Sequence, residues 1–353
     1  MHSRCTQQIE TPLATVPSCP GGWPEHTVFD VSPSPRLPVS PAPHPRIPRI
    51  PCLKHPVPIP SAPRPPAFPP SCSPFTHSFR GRSMPPLRTA LLQSSGVPGD
   101  IAKNLEILDA HAARAAAEGA GLLAAPEMFL TGYAIGADVH RLAEAADGAS
   151  ARAIAAIAAR HGIAVAYGYP ERGTGDDAEA VYNAAQLIGP GGARLANYRK
   201  THLFGCFERE WFTPGDEPVV QAELGGLRVG LLICYDVEFP ENVRAHALAG
   251  TDLLVVPTAL MNPFRFVAEK LLPVRAFESQ MYVAYANRTG PEGEFDFAGL
   301  SCLAGPDGIV RARGGLGEDL VTGDADPDLL AASRAGNPYL RDRRPGLYGP
   351  LAR

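Results

Sequence analysis

No apolar run in this 353-residue chain approaches the roughly 18–20 residues that a bilayer crossing needs. The longest candidates, such as Leu227 to Cys234, have the length of a strand. Neither sign of charge dominates: 32 Lys and Arg against 36 Asp and Glu leave a formal net charge of -4. That balance argues against a nucleic-acid partner or an anionic membrane surface. The seven cysteines include no C-x-x-C pair, and the chain has no H-E-x-x-H. Neither a metal nor another cofactor is therefore implied. An irregular, odd set of cysteines reads as reduced thiols in a cytoplasmic protein. The opening Met1–Pro20 lacks the continuous apolar stretch of a secretory signal.

Proline is abundant, and it is unevenly spread. Of 39 prolines, 23 fall in residues 1–86, together with Cys5, Cys19, Cys52 and Cys72. Residues 1–84 lack backbone donors and hydrophobic periodicity, so they read as disordered, without a core of their own. Met84 directly precedes a strand-like run, which suits a start site assigned too far upstream. A Pro-rich linker or interaction arm is the functional alternative. Residues 85–353 read as the catalytic domain, and the 45% hydrophobic content suits a sizeable core.

From Leu87 the pattern becomes regular. Leu87–Gln93, Gly121–Ala125, Ile163–Tyr169, Val181–Ile188, Ala193–Tyr198, Leu227–Ile233 and Leu253–Val256 read as strands, as do Met281–Ala286, Leu300–Ala304 and Ile309–Ala312. Helices are expected from an Asp100 cap to Glu118, from a Ser150 cap to Arg160, from Pro240 to Ala249 and over Pro263–Ser279. Strands and helices alternate, yet several strands are hairpin neighbours. An α/β sandwich of mixed sheets with helices outside fits better than a purely parallel sheet.

Three reactive side chains stand at strand ends, where α/β folds place their chemistry. Cys234 follows the apolar run Val229–Ile233, and a turn there would expose its thiol. The Tyr235 N–H then faces the same space and can donate to an oxyanion. Taken alone, Cys234 is as easily a small buried hydrophobe. Lys200 ends Asn197-Tyr-Arg-Lys; an isolated lysine is more often solvated. Glu127 follows Leu122–Pro126 and sits among Pro, Met and Phe, where a carboxylate becomes a better base near neutrality.

Together these stretches resemble the nitrilase superfamily of carbon–nitrogen hydrolases, over about Leu87 to Tyr348. The matching runs are Pro126-Glu-Met-Phe-Leu-Thr-Gly-Tyr133, Tyr198-Arg-Lys-Thr-His-Leu-Phe-Gly205 and Gly230-Leu-Leu-Ile-Cys-Tyr-Asp236 with Glu238-Phe-Pro-Glu241. The resemblance implies a four-layer α-β-β-α sandwich with two mixed sheets, which commonly forms homodimers or higher homo-oligomers. It also implies a triad of Glu127, Lys200 and Cys234. The Glu208-x-x-x-Phe212-x-x-Gly215 spacing assigns a second glutamate to Glu208, with Glu210 ranked behind it.

The expected chemistry follows from these residues. Lys200 would favour the thiolate, Glu127 would take the proton, and Cys234 would attack an amide carbonyl. Closer likeness to aliphatic amidases, including those acting on ω-amino amides such as 5-aminopentanamide, implies a small primary amide as substrate. Tyr133 and His202 are candidate substrate contacts. Glu292, Glu294 and Asp296 form an acidic loop, one of which could meet a substrate amine. A nitrilase or an N-carbamoyl amino acid hydrolase would keep the same triad. A non-catalytic binding protein on this fold would most simply lack one of its members.

Overall fold

The computed structural model describes residues 84–352. The expected Pro-rich arm therefore lies outside the described residues, apart from its last position.

The strands are β1 (Leu87–Gln93), β2 (Leu122–Ala124), β3 (Ala164–Arg172), β4 (Val181–Ile188), β5 (Arg194–Arg199), β6 (Val220–Leu224) and β7 (Leu227–Leu231), then β8 (Leu253–Thr258), β9 (Tyr282–Asn287), β10 (Thr289–Glu292), β11 (Phe295–Ala298), β12 (Cys302–Ala304), β13 (Val310–Arg313) and β14 (Asp319–Ala325). The α-helices are α1 (Ile101–Ala117), α2 (Asp138–Leu142), α3 (Ala149–His161), α4 (Gly205–Trp211), α5 (Pro240–Leu248), α6 (Leu272–Ser279), α7 (Pro327–Gly336) and α8 (Tyr339–Asp342).

Two six-stranded sheets result, in the orders β14-β1-β2-β3-β4-β5 and β13-β12-β9-β8-β7-β6. Each has a parallel centre, β1-β2-β3 and β7-β8-β9, flanked by antiparallel strands. The parallel steps need crossovers, and helices supply them: α1 and α3 in one half, α5 and α6 in the other. β10 and β11 form a separate hairpin.

Side-chain alternation explains the layers. Leu87 and Leu91 of β1, Leu122 and Ala124 of β2, and Ala164 and Ala166 of β3 share a core with β7, β8 and β9 of the other sheet. Their neighbours Ala90, Leu92, Leu123 and Val165 pack instead with Leu108 and Ala112 of α1 and Ile154 and Ile157 of α3. A strand buried on both faces must be apolar at every position, which is why these strands read as continuous runs. Each fully buried Leu or Val contributes about 1.5–3 kcal/mol. The result is an α-β-β-α sandwich with two mixed sheets, as expected.

Local differences have local causes. Asp100 caps α1 by accepting from Lys103 N at 2.9 Å. Ser150 is not a cap: α3 starts after Gly148, and Ser150 N and Oγ bond Glu144 instead. The helix expected from Pro263 begins later, with a π turn at Val267–Leu271 leading into α6. β6, β10, β11 and β14 were not expected: β6 and β11 alternate apolar and polar residues over only five and four positions, while β10 and β14 carry little apolar periodicity.

Candidate active site

β2, β5 and β7 all point their carboxyl ends to one end of the sandwich. Glu127 lies three residues past β2, Lys200 directly follows β5, and Cys234 opens a single turn of 3-10 helix three residues past β7. The Glu127 N–H donates to Thr258 O at the end of β8, so this loop bridges the two sheets.

The backbone is strained where the chemistry-bearing residues sit. Cys234 has φ +46° and Met128, beside Glu127, has φ +51°. Left-handed non-glycine residues of this kind cost free energy and are held by their surroundings. Around Met128 the holding element is Gly168 of β3: a Cβ there would lie 2.5 Å from Met128 N and 2.7 Å from Glu127 Cα. Around Cys234 it is Asp236. Its Oδ2 accepts from Ile233 N at 3.2 Å and from Tyr198 OH at 2.9 Å. Its Oδ1 accepts from Thr201 Oγ1 and His202 N, both at 2.9 Å.

Lys200 is fully buried between two fully buried carboxylates. Its Nζ lies 2.7 Å from Glu127 Oε1 and 2.6 Å from Glu208 Oε1. Asn183 Nδ2 also donates to Glu127 Oε1, at 2.7 Å. Glu208 Oε1 accepts from Tyr133 OH at 2.8 Å, and its Oε2 from Phe204 N at 2.8 Å. Glu127 Oε2 and Asn183 Oδ1 are buried without a hydrogen-bond partner among the described residues. A buried polar atom without a partner is rare enough to need a reason. Glu210 is exposed on α4, so the geometry selects Glu208 of the two.

The charges are interdependent. Burial pulls the Lys200 ammonium down, but Glu127 and Glu208 outweigh it and hold its pKa well above the ordinary lysine value. Burial pushes Glu208 up to about 7; Lys200 opposes this and Glu127 adds to it. Lys200 does favour the Cys234 anion, as expected, but it acts against larger opposing effects. Burial pushes the thiol well above its ordinary value, Glu127 pushes it further, and Lys200 only partly offsets them. The balance favours the protonated sulfur, which calls for a base at the moment of attack.

The other expected residues divide. Tyr133 is buried, bonded to Glu208, and packed against Phe207 (5.5 Å between centroids), Phe295 (5.5 Å) and Phe297 (5.7 Å). Tyr235 stands in the first turn after Cys234, where N–H groups have no intrahelical acceptor. His202 Nδ1 lies 3.0 Å from Asp236 Oδ1 and 2.9 Å from Asn242 Nδ2, and the ring stacks on Phe239. The acidic loop is the β10–β11 hairpin. Glu294 and Asp296 are exposed, and Asp296 Oδ2 accepts from Asn262 Nδ2 at 2.7 Å. Glu292 faces inward instead and pairs with Arg288. Asn183, Asp236 and Arg288 were not anticipated. Each is a polar residue inside or beside an apolar run, the signal that could have marked it.

A cleft of about 460 Å³ is lined by Thr201, His202, Arg209, Tyr235 and Phe239, among others. A larger concavity of about 900 Å³ lies elsewhere, against α5, α6 and the carboxyl-terminal segment. The chemistry decides between them: only the smaller cleft touches the turn that carries Cys234. Among the described residues no cluster of His, Cys, Asp and Glu is arranged to hold a metal, and no helix is long and apolar enough to cross a membrane.

Comparison with known proteins agrees with this geometry. Residues 88–335 match the family model described as carbon-nitrogen hydrolase. The hydrolase encoded in the pqqF 5' region of Pseudomonas protegens is 50% identical over 268 residues, covering 76% of this chain and 92% of that protein. An (R)-stereoselective amidase of a Pseudomonas species is 35% identical, covering 74% and 93%. The solved amidase of Nesterenkonia sp. AN1 is 37% identical with a TM-score of 0.67, covering 75% of this chain and 96% of that one. In that structure a glutamate-to-glutamine variant carries the acetamide moiety of fluoroacetamide on its active-site cysteine. The chain belongs to the carbon-nitrogen hydrolase family, and it is an enzyme of the nitrilase superfamily.

Proposed function

We propose that this enzyme hydrolyses a small aliphatic primary amide to a carboxylic acid and ammonia through a thioester on Cys234. The observation that carries this reading is the buried Glu127–Lys200–Glu208 array beside Cys234, with one oxygen of Glu127 left without a partner among the described residues. That oxygen is the base that a buried thiol requires. As Cys234 Sγ bonds the amide carbon, its proton passes to Glu127. The carbonyl oxygen becomes an oxyanion, held by the Lys200 ammonium and the Tyr235 N–H. Collapse breaks the C–N bond, and Glu127 returns the proton to the departing amine, which leaves as ammonia. Glu127 then deprotonates a water that attacks the thioester, releasing the acid and the Cys234 thiol. Glu208 keeps Lys200 charged and in place throughout. No step calls for a cofactor or a metal.

The acetamide moiety of fluoroacetamide carried on the cysteine of the Nesterenkonia amidase shows a nucleophilic sulfur in that relative, which supports Cys234 as the attacking group. The aromatic wall of Tyr133, Phe207 and Phe295 suits an apolar acyl chain. An ω-amino amide would have to use Glu294 or Asp296, because Glu292 is already paired. A second reading is favoured by Arg209, the permanent cation in the lining of the cleft: an acyl group ending in a carboxylate. A panel of neutral amides, ω-amino amides, ω-carboxyl amides, ureido acids and nitriles, scored by ammonia release, separates these readings. Cys234→Ala should abolish release. Ammonia from nitriles or ureido acids alone would redirect the proposal, and release undiminished in Cys234→Ala would end it.

A further inference from the structure

Glu292 was expected as a partner for a substrate amine, but its surroundings describe another task. It ends β10 and is buried. Its Oε1 accepts two backbone donors, Tyr133 N at 2.6 Å and Ala134 N at 2.7 Å. Its Oε2 pairs with Arg288 Nη2. Arg288 is itself fully buried, four residues earlier in the chain. The same Nη2 also donates to Ser95 O, while Nη1 reaches Glu127 O and Met128 O at 3.4 Å each.

Two lines of contact therefore leave this ion pair and end on two different carboxylates. Arg288 holds the carbonyls on either side of the strained Met128 linkage, and so the backbone that carries Glu127. Glu292 holds the backbone of Tyr133, whose hydroxyl donates to Glu208 Oε1 at 2.8 Å. Both carboxylates then meet at Lys200. A purely structural buried pair gives little net stability, because desolvation cancels most of the attraction. Its use lies in fixing geometry, and here the geometry fixed is that of the groups proposed to do the chemistry.

We propose that Arg288 and Glu292 are positioning residues, a single buried pair that sets Glu127 and Glu208 at once against Lys200, and that Glu292 does not bind substrate. The inference rests on the hydrolase reading above. A displacement of about 1 Å at such a centre costs up to a hundredfold in rate. Glu292→Gln keeps an oxygen for Tyr133 N and Ala134 N but loses the charge opposite Arg288. Glu292→Ala loses both.

The test compares the full chain with both variants, using a neutral amide and an ω-amino amide, and also follows alkylation of Cys234 by iodoacetamide. The expected result is a graded loss: kcat down about tenfold in Glu292→Gln and about a hundredfold in Glu292→Ala. KM should stay within about threefold for both substrates, and alkylation should slow in the same order. The Gln variant, closest in shape, guards against a trivial folding defect in the Ala variant. A rise in KM confined to the ω-amino amide would overturn the proposal and return Glu292 to substrate binding. A folded Glu292→Gln protein with wild-type kcat and alkylation would overturn it too. If the wild type released no ammonia, the hydrolase reading would fail, while the alkylation comparison would still decide the positioning.

Discussion

Asn183 and Lys200 donate to the same oxygen of Glu127, each at 2.7 Å, and the other oxygen has no partner among the described residues. The two donors anchor the carboxylate at Oε1, which leaves Oε2 for the role of base proposed above. Replacing Asn183 with Leu removes one anchor together with an unpartnered buried acceptor. Stability should change little or rise, because the lost hydrogen bond and the lost unsatisfied oxygen offset each other. The rate should nonetheless fall by about tenfold or more. Thermal denaturation beside steady-state kinetics checks this; parallel losses in both would contradict it.

Glu208 gives the enzyme a pH-dependent stability. Its pKa is raised to about 7 in the folded protein, first by burial, against 4.5 for the ordinary group. The folded state thus binds this proton more tightly than the unfolded chain. The contribution is fully present below about pH 4.5 and is lost as pH rises through about 7. Glu208→Gln cannot titrate. The Tm of this variant minus that of the wild type should therefore grow from pH 5 to pH 8. A constant difference, measured by calorimetry, would show that Glu208 does not behave this way.

Burial, ahead of Glu127, pushes the Cys234 thiol up, and Lys200 opposes it. A preformed thiolate would show its ultraviolet absorbance even below the ordinary cysteine pKa of about 8.5. Comparing wild type with Cys234→Ser, no extra absorbance should appear at pH 8. Its appearance there would indicate a resting ion pair with Lys200.

Gly168 tests the strain at Met128. A methyl group at Gly168 would meet three backbone atoms at 2.5–2.7 Å: Met128 N, Glu127 Cα and Pro126 O. Backbone cannot yield as a flexible side chain can. Gly168→Ala should cost about 1–3 kcal/mol and should also lower kcat, because it pushes on the residue that carries the base. Wild-type kinetics in this variant would mean that the loop relaxes freely.

Leu248, Val274 and Phe277 are large apolar side chains left exposed on and around α5 and α6. With the concavity beside them, they form the face on which a second copy would be expected to dock. Leu248→Glu should shift a homo-oligomer toward monomer in light scattering. An unchanged mass would place the interface elsewhere.

Much of this protein is written locally. β2, the Ala90–Leu92 core of β1 and the first half of β3 can be read from sequence because a stretch buried on both faces is apolar at successive positions. Glu127 and Cys234 can be read because each follows an apolar run, and Lys200 because it ends a half-buried strand; all three sit in long motifs that resemble one family. Glu208 follows from the resemblance, through the Glu-x-x-x-Phe-x-x-Gly spacing that it implies. Arg288 and Glu292 cannot be read this way. Arg288 meets Glu127 across 161 positions of sequence, and Glu292 reaches Tyr133 across 159. In sequence Glu292 is one acid of three in a polar loop, indistinguishable from Glu294 and Asp296. The hairpin turns one of them inward and leaves the other two at the surface. The state of the Cys234 thiol is likewise beyond the sequence, because it depends on a balance between burial, two carboxylates and one ammonium that exists only once the strand ends have met. Sequence determined which groups could react; tertiary structure decided which of their atoms are free to, because that depends on partners brought together from distant parts of the chain.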